Sequence, residues 1–447
     1  MASLPHITKP VNSTEKTIKV AIIGGGIGGL SLALGLLKQS HLDVQVYEAA
    51  HTFSEIGAGV ALGSNAERAL ELIGPTAKQA MKENATRNLW SSYANTFLEY
   101  RVGTGENEGT IICAQKDTNG LQSLHRAHFL DALVKGVPVQ RAHFNKRLMD
   151  LEEKEDGVTL HFKDGTSATA DVAIGADGVH SKVRDYLIGE EAGKPVFSGA
   201  VVYRGLVPMD SAVEVLGSEH AQNGFLLCGP DKVTLSYPID FGKTLNVAAF
   251  TFGHKEWPHE NWIVPIEHGE LAALFKGWGK PAQGLIKVHL ICALKHHSTK
   301  TPILFQLLDR PSNSAWGLFD SPLIPFFHKG HVAIMGDAAH STTPFQAQGA
   351  AQAIEDACVL SALFEKVSTP RDVPKALAAY DQVRRPRAQR VVSTSREAGQ
   401  VYSMTRPGVG GDVGKMREDL ETRLNWIWHR DMVAQNEAAV KLFEEAS

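Results

Sequence analysis

A glycine-rich turn near the start of the chain constrains the fold more than any other feature of the sequence. The turn runs from Gly24 to Gly29 and has the spacing GxGxxG. It follows the apolar run 18–23 and precedes the apolar stretch 30–37, so a strand, a tight turn and a helix are expected in that order. This order is typical of a Rossmann-type fold, in which the phosphates of a dinucleotide face backbone N–H groups and the positive end of the helix.

The three spaced glycines have separate expected roles. Gly24 allows the chain to turn, Gly26 lets the backbone approach a pyrophosphate, and Gly29 lets the helix pack closely on the strand. A second strand, 44–47, delivers Glu48 roughly twenty residues past the last glycine, where an acid accepts hydrogen bonds from a ribose. The sequence therefore predicts an adenine dinucleotide site but does not specify which dinucleotide.

A second glycine-containing segment late in the chain favours FAD. Gly336 and Asp337 follow an apolar, strand-like run, and a proline with several small residues then leads into a helix. Such a helix start is open to a ligand, and its positive end suits the edge of an isoalloxazine ring that becomes negative on reduction. The residues expected at this end include Pro344, Gly349 and Ala350.

The composition is that of an ordinary globular protein with more than one domain. At 447 residues the chain exceeds the size of a single hydrophobic core, and 43% of its residues are hydrophobic. A formal net charge of −4 gives no strong attraction for nucleic acid. The stretch 1–19 is polar with prolines, and no run of about twenty apolar residues suggests a membrane span. We therefore expect a cytoplasmic monomer or homodimer without nucleic-acid or membrane partners.

The cysteines and histidines do not suggest a metal site. The four cysteines lack CxxC or Cys/His ligand spacing, and the histidines, including the pair 296–297, show no ligand pattern with carboxylates. We expect free thiols in a reducing compartment and no metal. The cysteines are Cys113, Cys228, Cys292 and Cys358.

Sequence patterning divides the chain into four predicted regions. An FAD-binding domain is expected in two parts, 1–190 and 301–375, with a substrate-binding β-sheet domain inserted at 191–300 and a helical region at 376–447. The inserted region carries strand-like runs that would pair into a sheet with one face available as the wall of an aromatic pocket. These runs are 201–204, 224–228, 233–237 and 245–251.

Three local expectations complete this outline. Residues 74–120 have the pattern of a polar, irregular stretch that precedes a helix containing Arg126. Residues 151–162 alternate toward a turn at 163–166, which indicates a β-hairpin. In the helical C-terminal region, four arginines are expected on a solvated helix face: Arg384, Arg385, Arg387 and Arg390.

Five motifs in one order give the chain a resemblance to a known family. Besides the GxGxxG turn with Glu48, these are 55–59, 125–130, 175–184 and 336–356. Over nearly its whole length the chain resembles the single-component class A flavoprotein aromatic hydroxylases, in the branch of salicylate hydroxylase and fungal hydroxylases of phenolic polyketides. The resemblance implies an α/β fold like that of p-hydroxybenzoate hydroxylase. In that fold a Rossmann-like FAD-binding domain carries an inserted mixed β-sheet substrate domain and a C-terminal helical region.

The resemblance also implies which residues contact cofactors. Glu48 would hold the adenosine ribose, Arg126 would lie near the pyrophosphate and ribityl chain, and Asp337 would bind the ribityl hydroxyls. Asp177 begins a segment that family members use for both FAD and NAD(P)H. The implied FAD-binding set is completed by Gly59, Gly349 and Ala350.

Each of these side chains has a simpler interpretation. Arg126 could be a solvated charge beside the apolar face of its helix. Asp177 could belong to an ordinary Asp-Gly turn, although it follows a short buried strand whose carboxyl end is where open α/β sheets present ligands. Asp337 could cap the helix that follows, a role compatible with ribityl binding.

The reaction implied by the resemblance is FAD-dependent monooxygenation with NAD(P)H and O2. Hydride transfer reduces the flavin, oxygen adds to form a flavin hydroperoxide, and the distal oxygen passes to an electron-rich aromatic ring. Because the sequence has no second complete GxGxxG unit, NAD(P)H is expected to bind transiently in a groove. The salicylate-like version removes the carboxyl group of a 2-hydroxybenzoate and yields a catechol.

Two other functions stay open at this point. One is hydroxylation or dearomatisation of an aromatic polyketide or alkyl resorcinol in secondary metabolism. The other belongs to a different class, a non-hydroxylating FAD protein that senses redox state.

The sequence also departs from the family, because many salicylate-type members have a histidine where Phe345 stands and glycines where Ala347 and Ala351 stand. The ring substituents of the substrate therefore stay undetermined.

The resemblance also suggests residues that handle the substrate. Arg204 and Tyr237 match an arginine and a tyrosine that contact substrate or flavin in related hydroxylases. A cation near a phenol lowers the pKa of the phenol, which favours attack by the phenolate. His340 is a weaker acid/base candidate. Alternatively, Tyr237 packs in the sheet, Arg204 pairs with a surface acid, and His340 only bonds within its turn.

Overall fold

The computed structural model describes residues 17–53, 59–155, 157–267, 269–296 and 314–446. Part of the predicted N-terminal stretch, positions 55–58 of the second motif and the predicted boundary between 300 and 301 lie outside these residues. The side chain of Cys292 and the pair 296–297 also fall outside the described side chains. The other three cysteines are buried free thiols, namely Cys113, Cys228 and Cys358.

A mostly parallel sheet forms the nucleotide-binding side of the molecule. Its strands run in the order β18-β19-β11-β1-β2-β7, and all neighbours are parallel except the edge pair β18-β19. Nearly every residue of the central strands is buried, as expected for a sheet covered on both faces. The strands are β1 (Ile18–Ile23), β2 (Leu42–Tyr47), β7 (Ala142–His143), β11 (Val172–Gly175), β18 (His328–Lys329) and β19 (Val332–Ile334).

A second, eight-stranded mixed sheet forms the other side. Its order is β16-β17-β12-β15-β14-β13-β4-β5, and β13 pairs with β4 in parallel. The four predicted strand runs are confirmed within β12, β13, β14 and β15. The strands are β4 (Thr96–Val102), β5 (Ile111–Lys116), β12 (Val196–Pro208), β13 (Phe225–Gly229), β14 (Lys232–Ile239), β15 (Thr244–Thr251), β16 (Ile263–Pro265) and β17 (Ser314–Asp320).

The eight-stranded sheet extends beyond the range 191–300 that was predicted for it. Strands β4 and β5 come from the stretch 74–120, which is therefore not irregular, and β17 comes from the predicted second part of the FAD-binding domain. β4 joins the sheet by pairing with β13, far along the chain, and β5 pairs with β4. Local sequence does not reveal the pairing with β13.

Two small sheets complete the strands. The predicted turn at 163–166 joins β9 (Gly157–Phe162) to β10 (Ser167–Ala170), and β8 (Leu148–Lys154) pairs on the other side of β9. This arrangement confirms the predicted hairpin. Strand β3 (Gly59–Leu62) pairs with β6 (Gln122–His125), and β6 leads directly into α4 (Arg126–Val134). This pair contacts the eight-stranded sheet, because Gly59 packs against Tyr237 and Asn246.

Helices pack on both large sheets. They also form the C-terminal region, as predicted. Among the described residues no helix is long and apolar enough to cross a membrane. The remaining helices are α1 (Ile27–Leu36), α2 (Ser64–Ile73), α3 (Pro75–Asn84), α5 (Lys182–Ile188), α6 (Met209–Leu216), α7 (Ser218–Gln222), α8 (Glu270–Leu274), α9 (Lys280–His296), α10 (Asp337–His340), α11 (Gly349–Phe364), α12 (Val373–Tyr402), α13 (Val413–Thr422), α14 (Asn425–Trp428) and α15 (Met432–Glu445).

The expectation of a solvated arginine face on α12 is wrong for Arg384. Its guanidinium is fully buried and donates to Asp356 at 2.8 Å and to Glu355 at 2.5 Å. Arg387 donates to both oxygens of Glu355 as well, at 2.7 and 2.8 Å. The carboxylates come from α11, and the helix pairing that buries Arg384, Glu355 and Asp356 and partly buries Arg387 cannot be seen in the sequence of α12.

We expect Arg384→Leu to lower the free energy of unfolding by about 3–5 kcal/mol, because it leaves two buried carboxylates short of a partner. The matched control is Arg390→Leu, which lies on the same helix but is exposed and stacked on Trp426. It should lower the free energy of unfolding by no more than about 1 kcal/mol. Urea denaturation of the two variants measures the difference. Equal losses would contradict a structural role for the buried network.

Candidate active site

A single cavity of about 490 Å³ joins the two large sheets. At one end it is lined by the turn at Gly26, and at the other by the face of the eight-stranded sheet at Arg204. Arg126 and Asp337 line it between these ends. The cavity thus brings together the predicted dinucleotide turn and the predicted substrate residues.

The glycine turn leaves room at one position and is tightly packed at the other two. Gly24 has φ +109°, and a Cβ on it would lie 2.3 Å from the carbonyl oxygen of Ala176. A Cβ on Gly29 would lie 2.0 Å from the carbonyl oxygen of Gly24, whereas one on Gly26 would meet nothing within 4 Å. The open space therefore lies beside Gly26, where α1 begins and a pyrophosphate is expected.

Glu48 lies at the end of β2 and is held in place by backbone donors. One carboxylate oxygen accepts the N–H of Gly25 at 2.7 Å, and the other accepts the N–H of Ala50 at 2.7 Å. Each oxygen can accept a further hydrogen bond. The carboxylate is thus fixed against the glycine turn with acceptor capacity left for a ribose.

The second predicted segment also borders the cavity, close to the glycine turn, because Gly28 and Gly336 both pack against Ala353. Gly336 has φ +58°, and Asp337 follows it as an exposed residue that lines the cavity. Gly349 and Ala350 begin α11 and also line the cavity, and a Cβ on Gly349 would lie 3.9 Å from a carboxylate oxygen of Asp337. The acid and the N-terminus of α11 therefore flank the same space.

Two glutamines that sequence reasoning missed lie between these features. Gln346 and Gln348 are almost fully buried and line the cavity, yet the side-chain N–H2 group of each has no hydrogen-bond partner among the described residues. Their amide oxygens are already used, by Thr394 and Asn65 respectively. Buried donors without partners are rare in folded proteins. They fit a bound ring that carries acceptor atoms, such as the isoalloxazine of FAD.

A polar pair flanked by small residues was the available sequence signal for these glutamines. Gln348 stands between Ala347 and Gly349, and Gln346 between Phe345 and Ala347, just before α11, so a polar side chain there has few local partners. The same loop contains Ala347 at φ +53°, a left-handed conformation that favours glycine. The family glycine that this alanine replaces is thus at a position where the backbone itself favours glycine.

Gly59 lies on β3 against the substrate side of the cavity. Its N–H donates to the side-chain oxygen of Asn246 at 3.2 Å, and a Cβ on it would lie 2.8 Å from the hydroxyl of Tyr237. Gly59 therefore packs against residues of the eight-stranded sheet, and its predicted contact with FAD stays a prediction.

Asp177 directs its carboxylate at a helix rather than into the cavity. It accepts the hydroxyl of Ser181 at 2.5 Å and the backbone N–H of Lys182 at 2.8 Å, which caps α5. Its neighbours Ala176 and Gly178 line the cavity, whereas Asp177 does not. Any contact of this segment with a cofactor therefore involves the backbone beside Asp177 in this arrangement.

The structure does not place His340 in the cavity. The ring is buried, and its Nε2 lies 2.6 Å from a carboxylate oxygen of Asp356. The same oxygen accepts the N–H of Gly336 at 2.9 Å. His340 is thus corrected from an acid/base candidate to a residue that holds the turn carrying Asp337.

Strand alternation brings Arg204 and Tyr237 onto one face of the eight-stranded sheet. In register, Arg204 lies opposite Ala248, Ala248 lies opposite Leu235, and Tyr237 is two residues farther along β14. Residues two apart on a strand share a face. Both side chains line the cavity, as the functional interpretation requires.

The two groups are held in different charge states. Burial raises the pKa of Tyr237 to about 12, although the charges of Arg204 and Arg126 act in the opposite direction. Burial and the charge of Arg126 lower the pKa of Arg204, which nevertheless stays a cation because arginine is protonated at any ordinary pH. The cavity therefore presents a neutral phenol and a half-buried positive charge.

Arg204 has no carboxylate partner within ion-pair distance among the residues that the structure describes. Its guanidinium lies over the ring of Trp316, 5.2 Å from the centroid. The walls around it are apolar or aromatic and include Leu226, Leu235, Phe250 and Phe345. The alternative interpretation, in which Arg204 pairs with a surface acid, finds no such acid among the described residues.

Family models match two parts of the chain. One described as an FAD binding domain matches residues 312–395, and one described as FAD-NAD(P)-binding matches residues 21–180. These matches agree with the two sides of the cavity that carry Asp337 and the glycine turn.

Full-length relatives agree with these matches. The chain is 44% identical to 6-methylsalicylate 1-monooxygenase of Aspergillus terreus, over 96% of this chain and 93% of that protein. It is 36% identical to a salicylate hydroxylase of Pseudomonas putida, over 98% of this chain and 97% of that protein. The solved structure of a salicylate hydroxylase substrate complex superposes with a TM-score of 0.82 at 34% identity, covering 96% of this chain and 99% of that one.

We expect Glu48→Ala and Asp337→Ala each to weaken FAD binding, because ribose and ribityl hydroxyls lose acceptors that contribute about 1–3 kcal/mol apiece. Reconstitution of apoprotein, followed by the quenching of FAD fluorescence, gives the dissociation constants. Glu71→Ala, which removes an exposed acid paired with Lys78, is the control. Wild-type affinity in both site variants would reject these two assignments.

Proposed function

The chain belongs to the family of FAD-dependent monooxygenases that includes salicylate hydroxylase, and from this we propose that it converts a 2-hydroxybenzoate to a catechol. One oxygen atom of O2 enters the ring at the carboxyl-bearing carbon, the other leaves as water, and the carboxyl group leaves as carbon dioxide. NAD(P)H supplies the two electrons. Membership of a monooxygenase family does not support the redox-sensor hypothesis.

The observation that carries the proposal is a half-buried guanidinium that lines an apolar and aromatic part of the cavity and has no carboxylate partner among the described residues. A guanidinium that is partly removed from water is stabilised by a counter-charge, and no described acid lies within ion-pair distance of Arg204. An aromatic carboxylate supplies both the negative charge for Arg204 and the flat apolar body for the walls. The relatives named for salicylate and 6-methylsalicylate point to the same class of substrate.

Tyr237 is proposed to orient the substrate beside Arg204. Because its hydroxyl stays protonated, it can donate a hydrogen bond to an oxygen of the ring that reacts. Arg204 and Arg126 both favour the ionised form of a phenol bound between them. An ionised phenol is the more electron-rich ring and the better acceptor of an electrophilic oxygen.

Glu48, Asp337, the glycine turn and the start of α11 are proposed to hold FAD. When bound, FAD supplies hydride acceptance from NAD(P)H and activation of O2. The chain's own part is to fix the ring that reacts and to keep water away from it. The largely apolar walls on the sheet side, including Phe97, Leu226 and Phe250, serve the second purpose.

We expect carbon dioxide to be released from carboxyl-labelled 2-hydroxybenzoate in step with O2 uptake and NAD(P)H oxidation. The reason is that oxygen insertion at the carboxyl-bearing carbon allows the ring to regain aromaticity only by losing the carboxyl group. Trapped label and product mass measure it. A product that keeps the label would exclude the decarboxylative version, and turnover of an alkyl resorcinol alone would favour the polyketide version.

We expect Arg204→Met and Tyr237→Phe to retain FAD but to divert more of the consumed NAD(P)H into hydrogen peroxide. A ring misplaced by about one ångström can react on the order of a hundredfold more slowly, so oxygen is reduced without being inserted. Peroxide yield per NAD(P)H measures the coupling. Thr234→Val, buried on the opposite face of β14, is the control. Unchanged coupling in both variants would show that the substrate is held elsewhere.

A further inference from the structure

Asn246 is a third polar residue on the face that carries Arg204 and Tyr237. It lies directly opposite Tyr237 in the β14-β15 register, and two residues before Ala248, which lies opposite Arg204. It lines the cavity and is 7% exposed. The other cavity-lining residues of β12, β14 and β15 are apolar: Val233, Leu235, Ala248 and Phe250.

The orientation of the Asn246 amide is fixed by Gly59. A backbone N–H can only donate, so the atom that it meets at 3.2 Å is the amide oxygen. The two side chains also pack closely on this glycine, since a Cβ there would lie 2.9 Å from the Asn246 amide carbon and 2.8 Å from the Tyr237 hydroxyl. With the oxygen occupied, the N–H2 group is the part of the amide left for a ligand.

From this geometry we propose that Asn246 is a specificity-determining residue that donates a hydrogen bond to the phenol oxygen of an ortho-hydroxy aromatic carboxylate. The inference rests on the proposed function and adds a contact to it. Arg204 can only donate, Asn246 has only its donors free, and Tyr237 carries a protonated hydroxyl. A ligand on this face must therefore offer mainly acceptors.

A phenol with its carboxylate in the ortho position offers these acceptors side by side, whereas its meta and para isomers do not. In a 2-hydroxybenzoate the phenol oxygen, whether ionised or with its hydrogen bonded to the adjacent carboxylate, presents only lone pairs outward. A meta- or para-hydroxyl lies farther from the carboxylate, so a ring whose carboxylate pairs with Arg204 holds that hydroxyl away from Asn246. The polar face therefore favours the ortho isomer.

The test measures binding rather than turnover. FAD-loaded protein without NAD(P)H is titrated with 2-hydroxybenzoate and, separately, with benzoate, and the change in the visible flavin spectrum gives each dissociation constant. Asn246→Asp keeps the shape and the acceptor for Gly59 but removes the donor. Asn246→Leu removes both, and Thr234→Val is again the control for the sheet.

We expect both Asn246 variants to bind 2-hydroxybenzoate at least tenfold more weakly, as befits loss of a hydrogen bond to a substrate of this charge. Binding of benzoate, which has no phenol oxygen, should change less than about twofold in Asn246→Leu. Two results would overturn the inference alone: equal losses of affinity for both ligands in Asn246→Leu, or wild-type binding of 2-hydroxybenzoate by Asn246→Asp. A wild-type protein that does not bind 2-hydroxybenzoate would overturn the proposed function itself.

Discussion

The ion pairs of Arg384 with Glu355 and Asp356 support the part of the molecule that faces the cofactor. Burial alone would raise the pKa of Glu355, but Arg384 and Arg387 outweigh it and lower the pKa to about 2. Burial would likewise raise the pKa of Asp356, yet His340 and Arg384 hold it below its ordinary value. The charges are therefore mutually dependent, because removing any one leaves an opposite charge in the core with fewer partners to offset its desolvation.

The network reaches the cavity along two routes. Asp356 binds Gly336 and His340, and so fixes the turn that presents Asp337. Glu355 accepts from Asn65, whose amide also donates to the oxygen of Gln348, a residue that lines the cavity. Side chains outside the cavity, such as Asp356 and Glu355, thus fix the positions of groups that line it.

The two sides of the cavity recognise their ligands by different physical means. The Rossmann side uses backbone: an open position at Gly26, a helix start and a strand-end acid. The sheet side uses side chains, because alternation along β12, β14 and β15 presents a few polar groups within an apolar wall. A dinucleotide is shared by many enzymes, whereas Arg204, Tyr237 and Asn246 form the face on which a particular aromatic ring can be distinguished from its isomers.

The sequence alone determined the features that depend on short stretches of chain. The GxGxxG spacing, the strand runs of the second sheet and the C-terminal helices follow from local periodicity and backbone conformation, and the motif order indicated the family. Only the tertiary structure decided which side chains meet across long separations. In the tertiary structure Arg384 lies in the core rather than on the surface, and His340 lies outside the cavity. Strands β4 and β5 belong to the second sheet, and Gly59 packs against Asn246. Whether a side chain is buried, and which group it bonds, depends on two elements that are far apart in the sequence. No local pattern in either element alone can therefore predict it.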